Sequence, residues 1–239
     1  MSSTLVIADL HLSPERPDIT QCFFDFLNQK MNRHQSLYIL GDLFEAWVGD
    51  DDLNPFTLSV AEAIEAFSRT TPVFFIHGNR DFLLGKKFAK RCGMTLLPEQ
   101  HKTEINGTQV LFMHGDQLCL DDVDYQKFRK TSRSWWWKGL MLMLPLSMRK
   151  KKAEDYRRRS VEQQGYKSHD IMDVNEAEVQ RVVDANNVQL LIHGHTHRPN
   201  VHTLARGQQR LVVGDWYTQG SVLTLTPDGH ELSYLPFSH

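Results

Sequence analysis

The chain has 239 residues, with 27 Lys+Arg against 29 Asp+Glu and a formal net charge of −2 when His is neutral. Hydrophobic residues make up 41% and charged residues 23%, which excludes a disordered chain, because this composition can bury enough apolar surface to offset the ordering entropy. The near-zero balance gives no whole-protein argument for nucleic acid, and the length suits one domain with a full core, alone or with an insertion.

Five short apolar runs recur along the chain, and each ends in Gly, Asp or His. Leu5–Ala8 leads into Asp9-Leu10-His11, and Leu37–Leu40 into Gly41-Asp42. Val73–Ile76 leads into His77-Gly78-Asn79-Arg80-Asp81. Val110–Met113 leads into His114-Gly115-Asp116, and Leu190–Ile192 into His193-Gly194-His195-Thr196-His197. Continuous rather than alternating apolarity predicts strands covered on both faces. Helical spacing of apolar residues predicts helices over 19–33, 56–69 and 175–186. Residues 200–235 carry short β-rich runs punctuated by Gly214, Gly220 and Pro227-Asp228-Gly229, which predicts antiparallel strands. A βα series closed by an all-β run points to an α/β/β/α sandwich of two mixed sheets flanked by helices.

Residues 122–170 break the pattern, with no strand signal. Within 125–160 stand 12 Lys+Arg and two acids, a net of +10, so the remainder carries −12. The same segment holds the apolar run Trp135–Met148, followed by Arg149-Lys150-Lys151-Lys152. The expectation is one domain over 1–239 with a helical lid insertion near 122–170. Cys22, Cys92 and Cys119 are odd in number and lack metal-like spacing, so reduced, packed thiols are expected. The N-terminus has no basic region ahead of its short apolar run, and no window reaches transmembrane length.

The chemistry sits at the strand ends. Asp and His are oxygen and nitrogen ligands, and with no Cys among them the set argues for a Mn²⁺-like ion rather than structural zinc. Asp9-x-His11, Gly41-Asp42, Gly78-Asn79-Arg80-Asp81, His114-Gly115-Asp116 and Gly194-His195-Thr196-His197 occur in this order. Together they resemble the calcineurin-like metallophosphoesterase superfamily. The resemblance implies two Mn²⁺ per chain. One ion would use Asp9, His11, Asp42 and His197; the other would use Asp42, Asn79, His114 and His195, with Asp42 bridging. Asp81 and Asp116 stand where partners of the spare imidazole nitrogens could lie, or are turn residues. His77 and His193 are expected to point into the sheet packing. His34, His101, His169, His202, His230 and His239 read as surface histidines. Many superfamily members have His after the motif Asn, where this chain has Arg80. Arg is a poor proton donor but forks onto phosphate oxygens, which suits an acidic leaving group such as a phosphate within a pyrophosphate.

The blocks Tyr38–Trp47, Phe75–Gly85, Ile171–Asn175 and Ile192–Pro199 look like one family, the UDP-2,3-diacylglucosamine pyrophosphatases of Gram-negative lipid A synthesis. The resemblance runs essentially end to end. It implies Mn²⁺-dependent hydrolysis of UDP-2,3-diacylglucosamine to UMP and 2,3-diacylglucosamine 1-phosphate, with metal-activated water attacking the α-phosphorus. The implied catalytic residues are Asp42, Asn79, Arg80, His114 and His195. The implied substrate contacts are Asn79, Arg80, Asp122, Tyr125, Arg157, Ser160, Gln164, Lys167 and His195; at Gln164 the family pattern has the shorter Asn. A peripheral location on the cytoplasmic face of the inner membrane is expected, with no nucleic-acid partner and a monomeric state. The apolar and basic run around 135–152 is expected to line an acyl groove and to touch the bilayer. The alternatives are a soluble di-metal phosphoesterase for dinucleotides or phosphoproteins, and a non-catalytic binding module on the same fold.

Overall fold

The computed structural model describes residues 3–164 and 173–237, with the side chains of 159–164 outside the description. Strand β1 (Thr4–Ile7) lies parallel to β2 (Ser36–Ile39), β2 to β3 (Val73–Phe75), and β3 to β4 (Met94–Leu96). On the other edge of β1, β10 (Gly220–Thr226) and β11 (Gly229–Leu235) are added antiparallel. A second sheet has the order β5 (Gln100–Ile105), β6 (Thr108–Met113), β7 (Leu190–His193), β9 (Gln209–Val212), β8 (Asn200–Thr203). Both sheets are mixed, since β6, β7 and β9 run parallel while the edge pairs run antiparallel.

The apolar runs are continuous because each face of each central strand meets a different layer. Leu5, Ile7, Leu37, Ile39, Val73 and Phe75 pack outward with helices α1 (Pro17–Lys30), α2 (Pro55–Ser68) and α3 (Lys86–Arg91). Val6, Ala8, Tyr38, Leu40 and Ile76 point the other way and meet Val110, Phe112, Leu190 and Ile192 between the sheets. Leu111, Met113 and Leu191 pack beneath Val179, Val182 and Val183 of α7 (Glu176–Asn186). This is the expected α/β/β/α sandwich. Each fully buried Phe or Leu here contributes about 1.5–3 kcal/mol of transfer free energy.

Local signals set the helix starts. Pro17 and Pro55 occupy first-turn positions, where a missing N–H costs nothing. The Asn54 side chain accepts from Thr57 N while Thr57 Oγ1 accepts from Asn54 N, a reciprocal cap. Asn175 caps α7 by accepting from Glu178 N. Elements β4, β5 and α3 carry no continuous apolar run and escape the sequence pattern. β5 is an edge strand whose residues alternate between exposed and half-buried, and α3 is a six-residue helix capped from a distance, with Asp50 accepting from the amides of Gly85, Lys87 and Phe88.

Residues 123–164 form three helices: α4 (Val123–Ser132), α5 (Trp135–Met143) and α6 (Leu146–Gln164). Trp137 and Met141 on α5 pack against the outer core, while Trp135, Trp136, Leu140, Leu142 and Met143 are exposed. Arg149 is buried and donates to Val48 O, Leu144 O and the Asp51 carboxylate. Lys150 pairs with Asp52 at 2.7 Å. Cys22, Cys92 and Cys119 are buried, as expected, and burial pushes the Cys92 and Cys119 thiols up to about 12. No helix among the described residues is long and apolar enough to cross a membrane.

Candidate metal centre

The loops after β1 and β2 run side by side. Asp9 N donates to Gly41 O, His11 N to Asp42 O and Leu12 N to Leu43 O, at 2.9–3.1 Å. This ladder carries Asp9, His11 and Asp42 to one end of the sandwich. The loops after β3, β6 and β7 bring Asn79, His114, His195 and His197 to the same end. Asp9, His11, Asp42, His195 and His197 all have φ between 50° and 69°. The left-handed region costs non-glycine residues about 1–3 kcal/mol each, and such strain gathers where a chain is held for function. Among the described residues, three of the other four non-glycine residues with positive φ are asparagines, which tolerate it well.

Glycine before a candidate ligand is needed for close approach. A Cβ on Gly78 would collide with the Asp42 carboxylate and backbone N, and one on Gly194 with Asp9 and Ala8. The bare backbone at Gly194 lets His195 N donate to Asp9 Oδ2 at 2.8 Å. Arg80 N donates to Asp42 Oδ1 at 2.8 Å.

The other carboxylate oxygens are turned inward. Asp42 Oδ2 lies 3.7 Å from His11 Nε2 and 3.8 Å from His114 Nε2, between the two rings. Asp9 Oδ1 lies 3.5 Å from His197 Nε2. Asp9 Oδ1 and His11 Nε2 are buried polar atoms with no hydrogen-bond partner, an arrangement that costs several kcal/mol unless a cation is meant to fill the space. His114 Nδ1 donates to the Leu40 carbonyl (2.7 Å), which leaves the lone pair on Nε2, facing the Asn79 carboxamide at 3.0 Å. Ligand atoms of Asp9, His11 and His197 lie within 4.8 Å of one another, as do those of Asp9, Asp42 and His114. The donor set therefore fits divalent cations. His195 stands beside His114, ring centroids 5.0 Å apart, under the ring of Tyr125.

The electrostatics follow the same layout. Burial acts to raise the Asp9 carboxyl, but His197, with His114 and His11, holds it well below the carboxylate range. Burial acts to lower the His197 imidazole, and Asp9 overcomes it, raising it to about 9. Burial and then the neighbouring His114 push His195 down to about 3. Asp81, fully buried near Asp42, is raised to about 7, first by burial and then by that charge.

Supporting residues differ from expectation. Neither Asp81 nor Asp116 partners an imidazole. Asp81 accepts from Gly78 N and Leu43 N, both at 2.8 Å, and so clamps the loops after β2 and β3 together. Asp116 accepts from Tyr125 Oη, Arg129 Nε and Arg133 Nη2, all on α4 or just beyond it. The spare imidazole nitrogens are met instead by Glu45 Oε2 on His11 Nδ1 (2.9 Å), Leu40 O on His114 and Asp215 Oδ2 near His197 Nδ1 (3.3 Å). His193 is fully buried, as expected, and His77 is half-buried, bonded to Leu84 O.

One wall of the site escaped the sequence reading. Trp216 N donates to Asp9 O, Asp215 faces His197, and the Tyr217 ring stacks on His11 at 5.1 Å. The only sequence signal was Gly214-Asp215 after the apolar run of β9, a Gly-Asp at a strand end like Gly41-Asp42.

The expected substrate contacts scatter around this cluster. Arg80 is half-buried, with a buried Nε that has no hydrogen-bond partner. Tyr125 presents its ring to His195 but commits its hydroxyl to Asp116. Asp122 caps α4, accepting from Tyr125 N. Arg157 on α6 pairs with Glu45 at 3.0 Å. The side chains of Ser160 and Gln164, and Lys167 altogether, lie outside the described residues.

Known proteins share this plan. The calcineurin-like phosphoesterase family model matches residues 2–199. A UDP-2,3-diacylglucosamine hydrolase of Shewanella pealeana is 51% identical over 234 residues, covering 98% of each chain. One from Vibrio parahaemolyticus is 49% identical over 240 residues, covering 99% of each, and one from Escherichia coli is 52% identical, covering 98% of this chain and 100% of its own. A solved archaeal phosphodiesterase superposes with a TM-score of 0.53 at 11% identity, over 98% of this chain and 99% of its own, a likeness of fold. The chain belongs to the calcineurin-like phosphoesterase family and, within it, to the UDP-2,3-diacylglucosamine hydrolases.

Proposed function

We propose that this chain hydrolyses the pyrophosphate bond of UDP-2,3-diacylglucosamine, giving UMP and 2,3-diacylglucosamine 1-phosphate in lipid A synthesis. The observation that carries the reading is the pair of buried carboxylates, Asp9 and Asp42, ringed by His11, His114 and His197 and reached by Tyr125 of α4 and Arg157 of α6. Asp9, His11, Asp42 and His197 would hold one ion; Asp42, Asn79, His114 and His195 would hold a second, with Asp42 in both sets. Mn²⁺ suits this oxygen and nitrogen set. Bound there, such ions lower the pKa of water and neutralise phosphoryl charge.

The protein's own groups do the rest. Asp81 fixes the Asp42 and Asn79 loops relative to each other, so the cradle is set before substrate arrives. Arg80 is anchored through its backbone on Asp42 and keeps a free Nε–H for a phosphate oxygen. It steers and neutralises the pyrophosphate rather than donating a proton, which suffices because the departing group is a phosphate. His195 is neutral by burial, so with its lone pair given to the ion it would keep one N–H for the reacting phosphate. Arg157 and the residues beyond it on α6 would meet the sugar phosphate, and the lid would cover 122–170 of a single domain. The exposed Trp135, Trp136, Leu140 and Met143 beside Lys151 and Lys152 suit a peripheral protein on the inner membrane, acting as a monomer.

Hydrolysis in ¹⁸O-water tests the reading. The label should appear in UMP, and the reaction should require added Mn²⁺. Label in the lipid phosphate would overturn attack at the α-phosphorus. Faster turnover of a water-soluble dinucleotide than of the diacyl substrate would favour a soluble phosphoesterase.

A further inference from the structure

Glu45 stands between two parts of the molecule that are far apart in sequence. Its Oε2 accepts from His11 Nδ1 at 2.9 Å, and its Oε1 pairs with Arg157 Nε at 3.0 Å. Its side chain is only 13% exposed, whereas that of Arg157 is 55% exposed. One buried carboxylate thus links the last helix of the lid to a candidate ion ligand.

The chemistry of imidazole makes the link consequential. With Nδ1–H held on Glu45, the lone pair of His11 sits on Nε2, which points toward Asp42 Oδ2 and has no hydrogen-bond partner. An outer partner of this kind fixes the tautomer and ring orientation of a ligand. Arg157 occupies the other oxygen of that partner and restrains its rotation. Among the described residues, the other polar contacts that tie α6 to the core are Arg149 to Val48 O and Asp51, and Lys150 to Asp52. These lie near the start of the helix, about two turns before Arg157.

We propose that Glu45 is a positioning residue that couples docking of α6 to ion loading at Asp9, His11 and His197. The proposal rests on the reading that this cluster holds divalent ions, and it is independent of the substrate. Reciprocity follows: if a docked α6 tightens ion binding, a bound ion must hold α6 down by the same factor.

The test uses the full chain and Mn²⁺ alone, without substrate. Mn²⁺ affinity is measured by titration, and amide hydrogen exchange is followed over 146–158. Glu45→Gln should weaken one Mn²⁺ by about 10–100-fold, the usual cost of losing an outer partner. Arg157→Gln should weaken the same ion several-fold, although it touches no ligand. The double variant should be no weaker than Glu45→Gln, and Arg157→Lys should recover part of the loss. Arg158→Gln, paired with Asp155 within the helix, should leave the affinity unchanged. Exchange over 146–158 should slow on adding Mn²⁺ in the wild type and not in Glu45→Gln. Unchanged affinity in Arg157→Gln, or exchange indifferent to Mn²⁺ in the wild type, would overturn the coupling. A wild type that binds no Mn²⁺ would overturn the two-ion reading and the proposal with it.

Discussion

Arg129 Nε donates to Asp116 Oδ2 at 2.9 Å, joining α4 to the turn that follows β6 and His114. The same oxygen accepts from Tyr125 Oη at 2.6 Å and Arg133 Nη2 at 3.2 Å, and Arg133 reaches on to Gly78 O. Asp116 is buried, and Arg133 and Arg129 hold its carboxyl well below the usual range despite that burial. Removing one partner of such a cluster strands the others. Asp116→Ala is expected to cost about 3–5 kcal/mol in urea unfolding, with faster proteolysis within α4. A loss below about 1 kcal/mol would show that the cluster does not anchor the lid.

Asp42 combines two tasks: Oδ1 accepts from Arg80 N, and Oδ2 sits between two imidazoles. Asp42→Ala should reduce hydrolysis by more than the roughly 100-fold cost of losing an outer partner, while near-UV circular dichroism stays native-like. Activity within tenfold of wild type, or activity surviving in chelated buffer, would remove Asp42 from its bridging role.

Arg80 has a buried Nε donor with no hydrogen-bond partner. Arg80→Ala should lower kcat by roughly 10²-fold and raise KM less. Arg80→Lys should recover little, because a point charge cannot fork. A pure KM effect at full kcat would make it a binding group alone.

Lid docking should depend on acid. Arg149 bonds the Asp51 carboxylate and so lowers its pKa from the ordinary 3.8. A lowered folded-state pKa gives stabilisation that is present above 3.8 and lost as pH falls through the folded value. Exchange over 146–158 should therefore accelerate as pH drops below about 4, after correction for intrinsic rates. Asp51→Asn should show the faster exchange already at neutral pH and a smaller acid step, with Asp52 and Glu45 still paired to α6. An acid step of equal size in the variant would assign it to other carboxylates.

The outward face of α5 offers Trp135, Trp136, Leu140 and Met143, with Lys151 and Lys152 exposed on α6. Changing both lysines to Glu should weaken binding to anionic vesicles by about 1 kcal/mol or more per site. Trp135→Ser with Met143→Ser should weaken binding to neutral vesicles as well. Lys150 belongs to a different contact, the Asp52 pair, so Lys150→Glu should also loosen α6. Undiminished vesicle binding in the first two variants would make this face part of an acyl groove alone.

The layered fold was legible because burial on two faces writes a local signature. Val6 and Ile7 are both apolar since one faces the second sheet and the other faces α1 and α2. The expected helices match α1, α2 and α7 within three residues, because caps and apolar spacing are also local. β5 was not legible, since an edge strand with half-exposed residues needs no apolar run.

The sequence by itself determined which Asp, Asn and His residues stand just past a strand, and in what order: Asp9, His11, Asp42, Asn79, His114, His195 and His197. Only the tertiary structure decided what supports each of them. Glu45 serves His11, Asp215 faces His197 and Leu40 O serves His114, whereas Asp81, for which the motifs left two roles open, clamps two loops, and Asp116, likewise open, anchors α4. Strand-end ligands are set by the repeating geometry of the sheet, which a local pattern encodes. Their partners come from loops up to 186 residues away, as with His195 and Asp9, and that proximity exists only once the two sheets have packed.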